Sequence, residues 1–460
     1  MRRMLCLAMV LFLPLAGCDA NPQTIAQKKG EFAFHYAARY TPGELAWYSR
    51  FKVVVTGDFL PPDQVRTLHR AGCKLIAYEW TVAFYAPDSI SKHAWQRKLV
   101  EDHPDWLLNA SKGLYGNAGA ADIPAFYYDP VSTDLRKWRV AHLVQDVKTH
   151  NYDGVFFDTT GFTAVQHDAQ EEFKRRHPNE RYDEYVGQFL DGLRKCAPDL
   201  ITFTNQGYRN AEDYLPRADY DLSESYMTTT DGPQADVYVE GKGPTRVTET
   251  YVHPWDDPDH PWDSVAHYCK VLINDPIAHG GYKARVCHLN YGQPRYEPTG
   301  QSISVDGQSL PVFRETLDRE ALYYSAAAAA LMNQDSYFVT PDGIPADRVY
   351  FANLGKPTTD NYSYDETTHI ATRTFANGFA AVNAGSQARD FVLSASAIPA
   401  GVTGLWDVFA GREVGGFLKR RTVTLPVSHY TATQRTAPAG RIFLYMRPKS
   451  EESSTAIAER

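Results

Sequence analysis

The segment Asn151-Tyr152-Asp153-Gly154-Val155-Phe156-Phe157-Asp158-Thr159-Thr160-Gly161 carries the clearest indication of the fold. Its centre, Val155 to Phe157, is continuously apolar and β-prone, which predicts a strand buried on both faces. Asp158 ends this strand, and Thr159 to Gly161 open a loop. A carboxylate at the carboxyl end of a buried parallel strand is where α/β barrels hold catalytic groups. Asp158 could equally cap a turn or a helix, so the stretch alone leaves both interpretations open.

Seven further segments have the same β-prone character, and segments of helical periodicity separate most of them. The predicted strands span 32–36, 51–58, 74–80, 200–207, 220–226, 285–291 and 336–340, and the predicted helices include 138–150, 166–176, 182–196 and 314–332. Strands alternating with helices indicate a parallel sheet. With the strand at Val155 to Phe157 the chain has eight such strands, and this number predicts an α/β fold, a (β/α)8 TIM barrel over 31–345. A nucleotide-binding doubly wound sheet is disfavoured because the turn after the first strand, Ala37 to Tyr40, has no glycine-rich phosphate loop.

Beyond Tyr364 the pattern changes to short alternating apolar runs separated by turn signals such as Asn377-Gly378. This pattern is typical of antiparallel strands and predicts a C-terminal β-sandwich over 365–447. The runs are 370–375, 378–383, 389–393, 404–408, 422–425 and 440–446. The polar tail, 448–460, is predicted to be disordered.

The N-terminus has the features of a bacterial lipoprotein signal. Arg2 and Arg3 precede an apolar run that ends in Leu15-Ala16-Gly17-Cys18, which predicts a signal peptide over 1–17, lipidation of Cys18 and a tether over 18–30. An ordinary secretory signal is the alternative. Asp19 suggests retention at the inner membrane, so we expect a protein anchored in the bacterial cell envelope and facing the periplasm.

The charge balance and the cysteine spacing limit the classes of partner and cofactor that are expected. The 460 residues include 47 Lys and Arg against 55 Asp and Glu, a net charge of −8, which argues against nucleic acid and leaves the lipid anchor as the expected membrane contact. Cys73, Cys196, Cys269 and Cys287 have no zinc-ligand spacing, so neither a metal nor another cofactor is predicted. Cys269 and Cys287 could form a disulfide or be buried as free thiols.

In a barrel the side chains at the carboxyl ends of the strands converge on one pocket. Two carboxylates on different strands would suffice for glycosidic bond cleavage, and aromatic and amide side chains would bind sugar. Glu79 is a rival carboxylate that could bind ligand or form a structural ion pair, and Trp95 and Trp106 could be sugar platforms or core. The candidate residues at the strand ends are His35, Tyr36, Asp58, Tyr78, Glu79, Asp158, Asn205, Gln206, Glu224, Tyr226 and Asn290.

Four motifs resemble the barrel glycoside hydrolases related to the endo-alpha-galactosaminidase family (family 114) and nearby uncharacterised glycosidases. They are Tyr152 to Asp158, Lys74 to Tyr78, Thr204-Asn205-Gln206-Gly207 and Ser223-Glu224-Ser225-Tyr226. The resemblance covers the barrel, about two thirds of the chain. It implies that Asp158, ending strand four, and Glu224, ending strand six, are catalytic, with Asp158 as nucleophile and Glu224 as general acid/base if the mechanism is retaining.

These observations predict a lipid-anchored glycoside hydrolase that acts on a polysaccharide or oligosaccharide. Tyr36, Tyr78, Glu79, Asn205 and Tyr226 are the predicted substrate-binding residues. A non-catalytic carbohydrate-binding barrel lipoprotein that handles exopolysaccharide is the alternative, and a structural envelope protein is a third hypothesis. The separation of the two carboxylates distinguishes hydrolysis from binding.

Overall fold

The N-terminal part of the fold is a barrel of eight parallel strands. The computed structural model describes residues 25–85, 94–108, 113–115, 123–158, 160–341 and 347–448. Each strand pairs in parallel with the next, in the order β1 to β8. The strands are β1 Gly30–His35, β2 Phe51–Thr56, β3 Lys74–Trp80, β4 Gly154–Asp158, β5 Ile201–Asn205, β6 Tyr220–Glu224, β7 Arg285–Tyr291 and β8 Asp335–Val339. The predicted TIM barrel is therefore confirmed, with all eight strands at their predicted places.

Helices α1 to α10 lie between successive barrel strands, and α11 lies in the C-terminal part. They are α1 Pro42–Tyr48, α2 Pro62–Arg70, α3 Ala94–Asp102, α4 Thr133–Thr149, α5 His167–Arg176, α6 Tyr182–Cys196, α7 Ala211–Tyr214, α8 Val265–Tyr268, α9 Asp275–Gly280, α10 Arg319–Leu331 and α11 Phe417–Arg420. Helix α4 begins earlier than predicted because the Ser132 hydroxyl caps it through the Leu135 N–H. Helix α10 begins later than predicted because Asp318 caps it and Arg314 to Thr316 belong to a strand.

The barrel interior is aromatic. Phe34 contacts the rings of Phe156 and Phe203 at centroid distances of 5.0 and 5.7 Å, and Phe156 and Phe203 are 5.2 Å apart. These rings form a dry floor beneath the carboxyl ends of the strands, since all three side chains are buried.

Side chains join the first and last strands at the amino-terminal end of the barrel. Glu31 on β1 accepts from Arg285 on β7 at 2.9 Å and from Lys52 on β2 at 3.0 Å. Lys28 lies 3.5 Å from Asp335 on β8. This ion-pair network spans the position where β1 and β8 meet, on the face opposite the carboxyl ends.

Three insertions at the carboxyl face carry extra strands. The segment after β3 contains a three-stranded antiparallel sheet of Ala83–Tyr85, Gly113–Tyr115 and Ile123–Tyr127. A short ladder, Thr228–Thr229 with Tyr251–Val252, and a hairpin, Gln234–Val239 and Gly243–Thr248, follow β6. A second hairpin, Arg295–Val305 and Gln308–Thr316, follows β7, and the two hairpins join into one four-stranded sheet.

The C-terminal part consists of antiparallel sheets, as predicted. A six-stranded sheet contains Ser363–Asp365, Ile370–Phe375, Gly378–Asn383, Ala439–Met446, Gly404–Asp407 and Arg412–Glu413, in that spatial order. One face packs on the pair Arg389–Val392 and Thr422–Leu425 around Phe379, Leu405 and Phe443. The hairpin Ser428–Tyr430 with Arg435–Ala437 completes this part.

The other face of the six-stranded sheet packs on α10. At Gly440 the strand is so close to the helix that a Cβ would lie 2.6 Å from the Tyr323 carbonyl oxygen and 2.8 Å from the Ala327 Cβ. The alanine run of α10 therefore serves close packing, because small side chains let the backbones approach.

The described residues contain four cysteines and no helix that could cross a membrane. Cys73, Cys196, Cys269 and Cys287 are all free thiols, so Cys269 and Cys287 are not bonded to each other. Within the described ranges no helix is long and apolar enough to cross a membrane. The predicted signal peptide, Cys18 and the residues from 449 onward lie outside those ranges.

Candidate active site

Five polar side chains at the carboxyl ends of five consecutive strands define the site. They are Tyr78 on β3, Asp158 on β4, Asn205 on β5, Glu224 on β6 and Tyr291 on β7. Each lies two positions after a buried apolar residue of its own strand, and side chains two apart on a strand share a face. The preceding residues are Ile76, Phe156, Phe203, Leu222 and Leu289. The five polar groups therefore sit directly above the apolar interior.

The five side chains form one continuous row of hydrogen bonds. Asn205 donates through Nδ2 to Asp158 Oδ1 and to Glu224 Oε2, both at 2.7 Å. Tyr78 donates its hydroxyl to Asp158 Oδ2 at 2.6 Å, and Tyr291 donates to Glu224 Oε1 at 2.8 Å. Because one nitrogen contacts both carboxylates, the two accepting oxygens lie at most twice 2.7 Å, about 5.4 Å, apart.

The environment of Glu224 favours its protonated form. Burial and the negative charge of Asp158 raise the pKa of Glu224 above its ordinary value, while the hydrogen bonds from Asn205 and Tyr291 act in the opposite direction. Burial and the neighbouring Glu224 carboxylate raise the pKa of Tyr291 well above its usual range, so its hydroxyl stays a donor. Two carboxylates in one site thus differ in surroundings, which is the arrangement that acid/base chemistry needs.

Hydrogen bonds from buried neighbouring residues fix the backbone around Asn205. Asp221 is fully buried and accepts from the Gly207 N–H at 2.8 Å and from the Thr204 hydroxyl at 2.6 Å, and burial raises its pKa to about 7. A Cβ at Gly207 would lie 2.9 Å from Asp221 Oδ1, so the turn leaves no room for a side chain. The Thr160 hydroxyl donates to the Asn205 carbonyl oxygen. These contacts fix the strand end that carries the bridging amide.

Two predicted binding residues lie at the edges of this row. Tyr36 follows β1 and is 53% exposed, with its ring edge-on to Tyr78 at 5.3 Å. Tyr226 lies two residues beyond Glu224, and its ring stacks on Tyr268 at 3.3 Å. The Tyr226 hydroxyl donates to the Trp262 carbonyl oxygen at 2.6 Å, so it orders the loop after β6.

Glu79 is placed apart from the two carboxylates. It is 3% exposed and lies 3.9 Å from the guanidinium of Arg139 on α4, while Gln96 on α3 donates to it at 3.4 Å. Its neighbour Tyr78 faces the barrel interior, so alternation along β3 turns Glu79 outward toward these helices. The structural ion pair considered for Glu79 matches this placement.

The remaining candidates serve loops and helices. His35 contacts Glu44 of α1 at 3.6 Å, and Asp58 is exposed and accepts from the Phe59 N–H at 2.7 Å. Asn290 is fully buried and accepts from the Met227 N–H at 3.1 Å. Gln206, beside the bridging amide, has a left-handed backbone with φ of 56°.

The tryptophans of the insertion after β3 pack as core. Trp95 is 7% exposed and donates to Asp146 on α4 at 2.9 Å, and the ring of Trp138 lies 5.1 Å away. Trp106 packs in the same region, stacked on His103 at 3.7 Å. Of the two interpretations of these rings, the structure favours the packing one.

Tyr291 is the site residue that sequence reasoning missed. The predicted seventh strand ends at Tyr291, but the predicted site residue on it is Asn290. Counting in twos from the buried Leu289 would have identified Tyr291 as the inward side chain. Over the described residues, no group of three or more His, Cys, Asp or Glu side chains is arranged to hold a metal ion.

The chain is a (β/α)8 barrel with a carboxylate pair at its carboxyl face, an arrangement that glycoside hydrolases use. Residues 70–242 match the model of a family described as hypothetical glycosyl hydrolase family 15. The predicted resemblance to barrel glycoside hydrolases is confirmed by this match. No curated protein matches the chain.

Several solved structures resemble the chain in backbone trace. The glycoside hydrolase domain of PelA from Pseudomonas aeruginosa is 20% identical at a TM-score of 0.40, over 68% of this chain and 94% of that one. Ega3 from Aspergillus fumigatus, in complex with galactosamine, is 10% identical with a TM-score of 0.37, and the match covers 70% of this chain and 94% of Ega3. The maltogenic alpha-amylase AmyB from Thermotoga neapolitana is 12% identical with a TM-score of 0.47, and the match covers 91% of this chain and 98% of AmyB.

Proposed function

We propose that this protein hydrolyses glycosidic bonds of a polysaccharide, with Asp158 as nucleophile and Glu224 as general acid/base. The observation that carries the proposal is the shared contact of Asn205 with both carboxylates, which keeps their nearest oxygens within about 5.4 Å. Carboxyl groups about 5 to 5.5 Å apart suit a retaining mechanism, whereas inverting enzymes separate them further to admit a water molecule. The bound on the separation therefore supports retention.

The two carboxylates would act in two steps. In the first, protonated Glu224 donates its proton to the glycosidic oxygen while Asp158 attacks the anomeric carbon, so the glycosidic bond breaks and a glycosyl ester forms. In the second, ionised Glu224 takes a proton from water, the water oxygen attacks the same carbon, and the ester bond to Asp158 breaks. The surroundings that raise the pKa of Glu224 favour the proton it needs in the first step.

Neutral donors on either side would orient the two carboxylates. The amide of Asn205 uses both of its hydrogens on Asp158 and Glu224, so we assign it to positioning these groups rather than to binding a sugar hydroxyl. Tyr78 and Tyr291 each hold one remaining oxygen. Tyr36, exposed beside Tyr78, is the residue of this group with a ring surface open to a sugar.

The test is hydrolysis by single variants. Purified protein is screened against soluble bacterial and fungal polysaccharides that include neutral, acidic and amino-sugar polymers, with product analysis. We expect Asp158→Asn and Glu224→Gln each to lower turnover on the order of a thousandfold or more, since each removes one half of the chemistry. Circular dichroism is expected to show unchanged folding.

Asp134→Asn is the matched control, because this α4 carboxylate is 77% exposed. Near-normal turnover in either site variant would refute the assignment. Binding of a polysaccharide without any cleavage would favour the non-catalytic alternative. Proton NMR shows which anomer of the product forms first, and this anomer distinguishes retention from inversion.

A further inference from the structure

Trp262 is a tryptophan whose exposure the fold does not explain. All eight tryptophans of the chain lie in the described residues, and Trp262, at 58%, is the one that is exposed. Large aromatic side chains normally bury most of their surface, so an exposed indole next to a functional site indicates a contact with a ligand.

The loop that carries this indole is held firmly. Trp262 lies in a short 3-10 turn, Pro261–Asp263, closed by hydrogen bonds from Asp263 N to His260 O at 2.9 Å and from Ser264 N to Pro261 O at 3.1 Å. The ring of His267 meets the indole edge-on at 4.8 Å. A ring held in place before binding loses little conformational entropy when a ligand arrives.

A direct hydrogen bond ties this turn to the segment that follows Glu224. The Tyr226 hydroxyl donates to the Trp262 carbonyl oxygen at 2.6 Å and to the Ser264 carbonyl oxygen at 3.2 Å. Tyr226 is two residues beyond Glu224 and is itself braced by stacking on Tyr268. The turn that carries the exposed indole is therefore bonded to the segment that leaves β6 directly after Glu224.

We propose that Trp262 is the stacking platform of a glycan subsite on the Glu224 side of the cleft, where the leaving-group part of the chain would lie. The ligand class is a pyranose ring, whose axial C–H groups form a flat apolar face for an indole while its hydroxyls stay in water. Asp259 and Asp263 lie within three residues of Trp262 along the chain, and their carboxylates are of the type that accepts hydrogen bonds from such hydroxyls. The inference rests on the proposed function for the meaning of the two sides, but binding at Trp262 requires no turnover.

The first experiment measures binding alone. Acrylamide quenching of tryptophan fluorescence reports the exposed indole, and the soluble polysaccharides of the panel are added as probes to the Glu224→Gln protein. We expect a polysaccharide that binds to protect the fluorescence, and Trp262→Phe to abolish the protected component. Protection by none of the polysaccharides, or protection that persists in Trp262→Phe, would overturn the platform.

The second experiment uses steady-state kinetics on the polysaccharide that the wild type cleaves. We expect Trp262→Ala to raise KM at least about tenfold with kcat within about twofold, and Trp262→Phe, which keeps a flat ring, to retain most of the affinity. Trp406→Phe in the C-terminal sheet is the control and is expected to behave as wild type. An unchanged KM in Trp262→Ala would contradict the subsite. Protection without hydrolysis would refute the enzyme and leave the platform standing.

Discussion

Tyr291 connects a neutral side chain to the proposed proton chemistry of the site. Its hydroxyl donates to Glu224 at 2.8 Å and stabilises the ionised carboxylate, which is one of the two contacts that hold the pKa of Glu224 down. A donor that stabilises the charged form of an acid sets the pH at which this acid loses its proton.

Replacing Tyr291 by Phe is expected to move the alkaline limb of the kcat/KM profile to higher pH. Without the donor the ionised form of Glu224 is less stable, so its pKa rises and the acid keeps its proton further into the alkaline range. We also expect kcat/KM at the optimum to fall by a factor of about 10 to 150, because a hydrogen bond to a charged group contributes about 1.5 to 3 kcal/mol.

A pH profile of kcat/KM for the variant and for Tyr214→Phe decides this prediction. Tyr214 donates its hydroxyl to Asp183 at 2.6 Å, away from the row of five, so its loss should leave the limb in place. A limb that moves to lower pH in Tyr291→Phe would show that the hydroxyl stabilises the protonated acid instead.

At the scale of elements, α10 is shared between the barrel and the C-terminal sheet. Its buried residues include Ala327, Ala328 and Ala329, and Gly440 of the facing strand fits against this surface. A methyl group at Gly440 would lie 2.6 Å from the Tyr323 carbonyl oxygen, which belongs to helix backbone and cannot rotate away.

Gly440→Ala is therefore expected to destabilise the protein by about 1 to 3 kcal/mol, the typical cost of overpacking a close interface. Urea unfolding followed by circular dichroism measures the change. Gly415→Ala is the matched control, because nothing lies within 4 Å of the added Cβ there and the position is exposed. Equal stability of the two variants would mean that helix and sheet can separate at no cost.

The elements that could be predicted from sequence are those whose burial leaves a local pattern. Each barrel strand is an apolar run covered on both sides, and the strand Val155 to Phe157 is fully buried as its composition requires. The hairpin Arg295–Val305 with Gln308–Thr316 was missed, because most residues of its first strand are exposed and alternate too weakly to stand out. Its sheet forms by pairing with Gln234–Val239, a distant segment that local patterns do not reveal.

The same reasoning explains what could be predicted of the site. Asp158, Asn205 and Glu224 end strands whose limits were clear, so their convergence followed from the barrel. Separating Tyr78 from Glu79 needed the direction of each side chain, which the alternation on β3 contains. The bridge by Asn205 could not be predicted, because it depends on the rotamer of one amide between two neighbouring strands.

At the scale of the whole molecule, the hairpin over 428–437 links the C-terminal part to the loops that follow β6 and β7. The Thr431 hydroxyl donates to the Tyr296 carbonyl oxygen at 2.8 Å, and Thr433 donates to the buried Glu249. The Tyr430 hydroxyl donates to Asp318 at 2.8 Å, and this fully buried carboxylate also caps α10 through the Ala321 N–H at 3.1 Å. One hairpin thereby joins the C-terminal sheets to two loops of the carboxyl face and to a barrel helix.

Tyr430→Phe is expected to lower the stability of the entire chain by about 1 to 3 kcal/mol at neutral pH, because a buried carboxylate loses a donor. Burial already raises the pKa of Asp318, and loss of the hydroxyl raises it further. The substitution destabilises the ionised form of Asp318. The decrease in the free energy of unfolding should therefore be largest above the pKa of Asp318 in the folded state, and it should shrink as the pH falls and Asp318 is protonated.

Urea unfolding at pH 4 and pH 7.5, read by tryptophan fluorescence and circular dichroism together, tests both the size and the sign of this effect. Tyr445→Phe is the control, since its hydroxyl donates to the Ala397 carbonyl oxygen at 3.0 Å and its loss should not depend on pH in this way. Because α10 and Asp318 belong to the barrel while Tyr430 belongs to the C-terminal part, we expect the two signals to shift as a single transition. Separate transitions in Tyr430→Phe, with only the C-terminal part destabilised, would mean that the barrel is stable without its partner sheet.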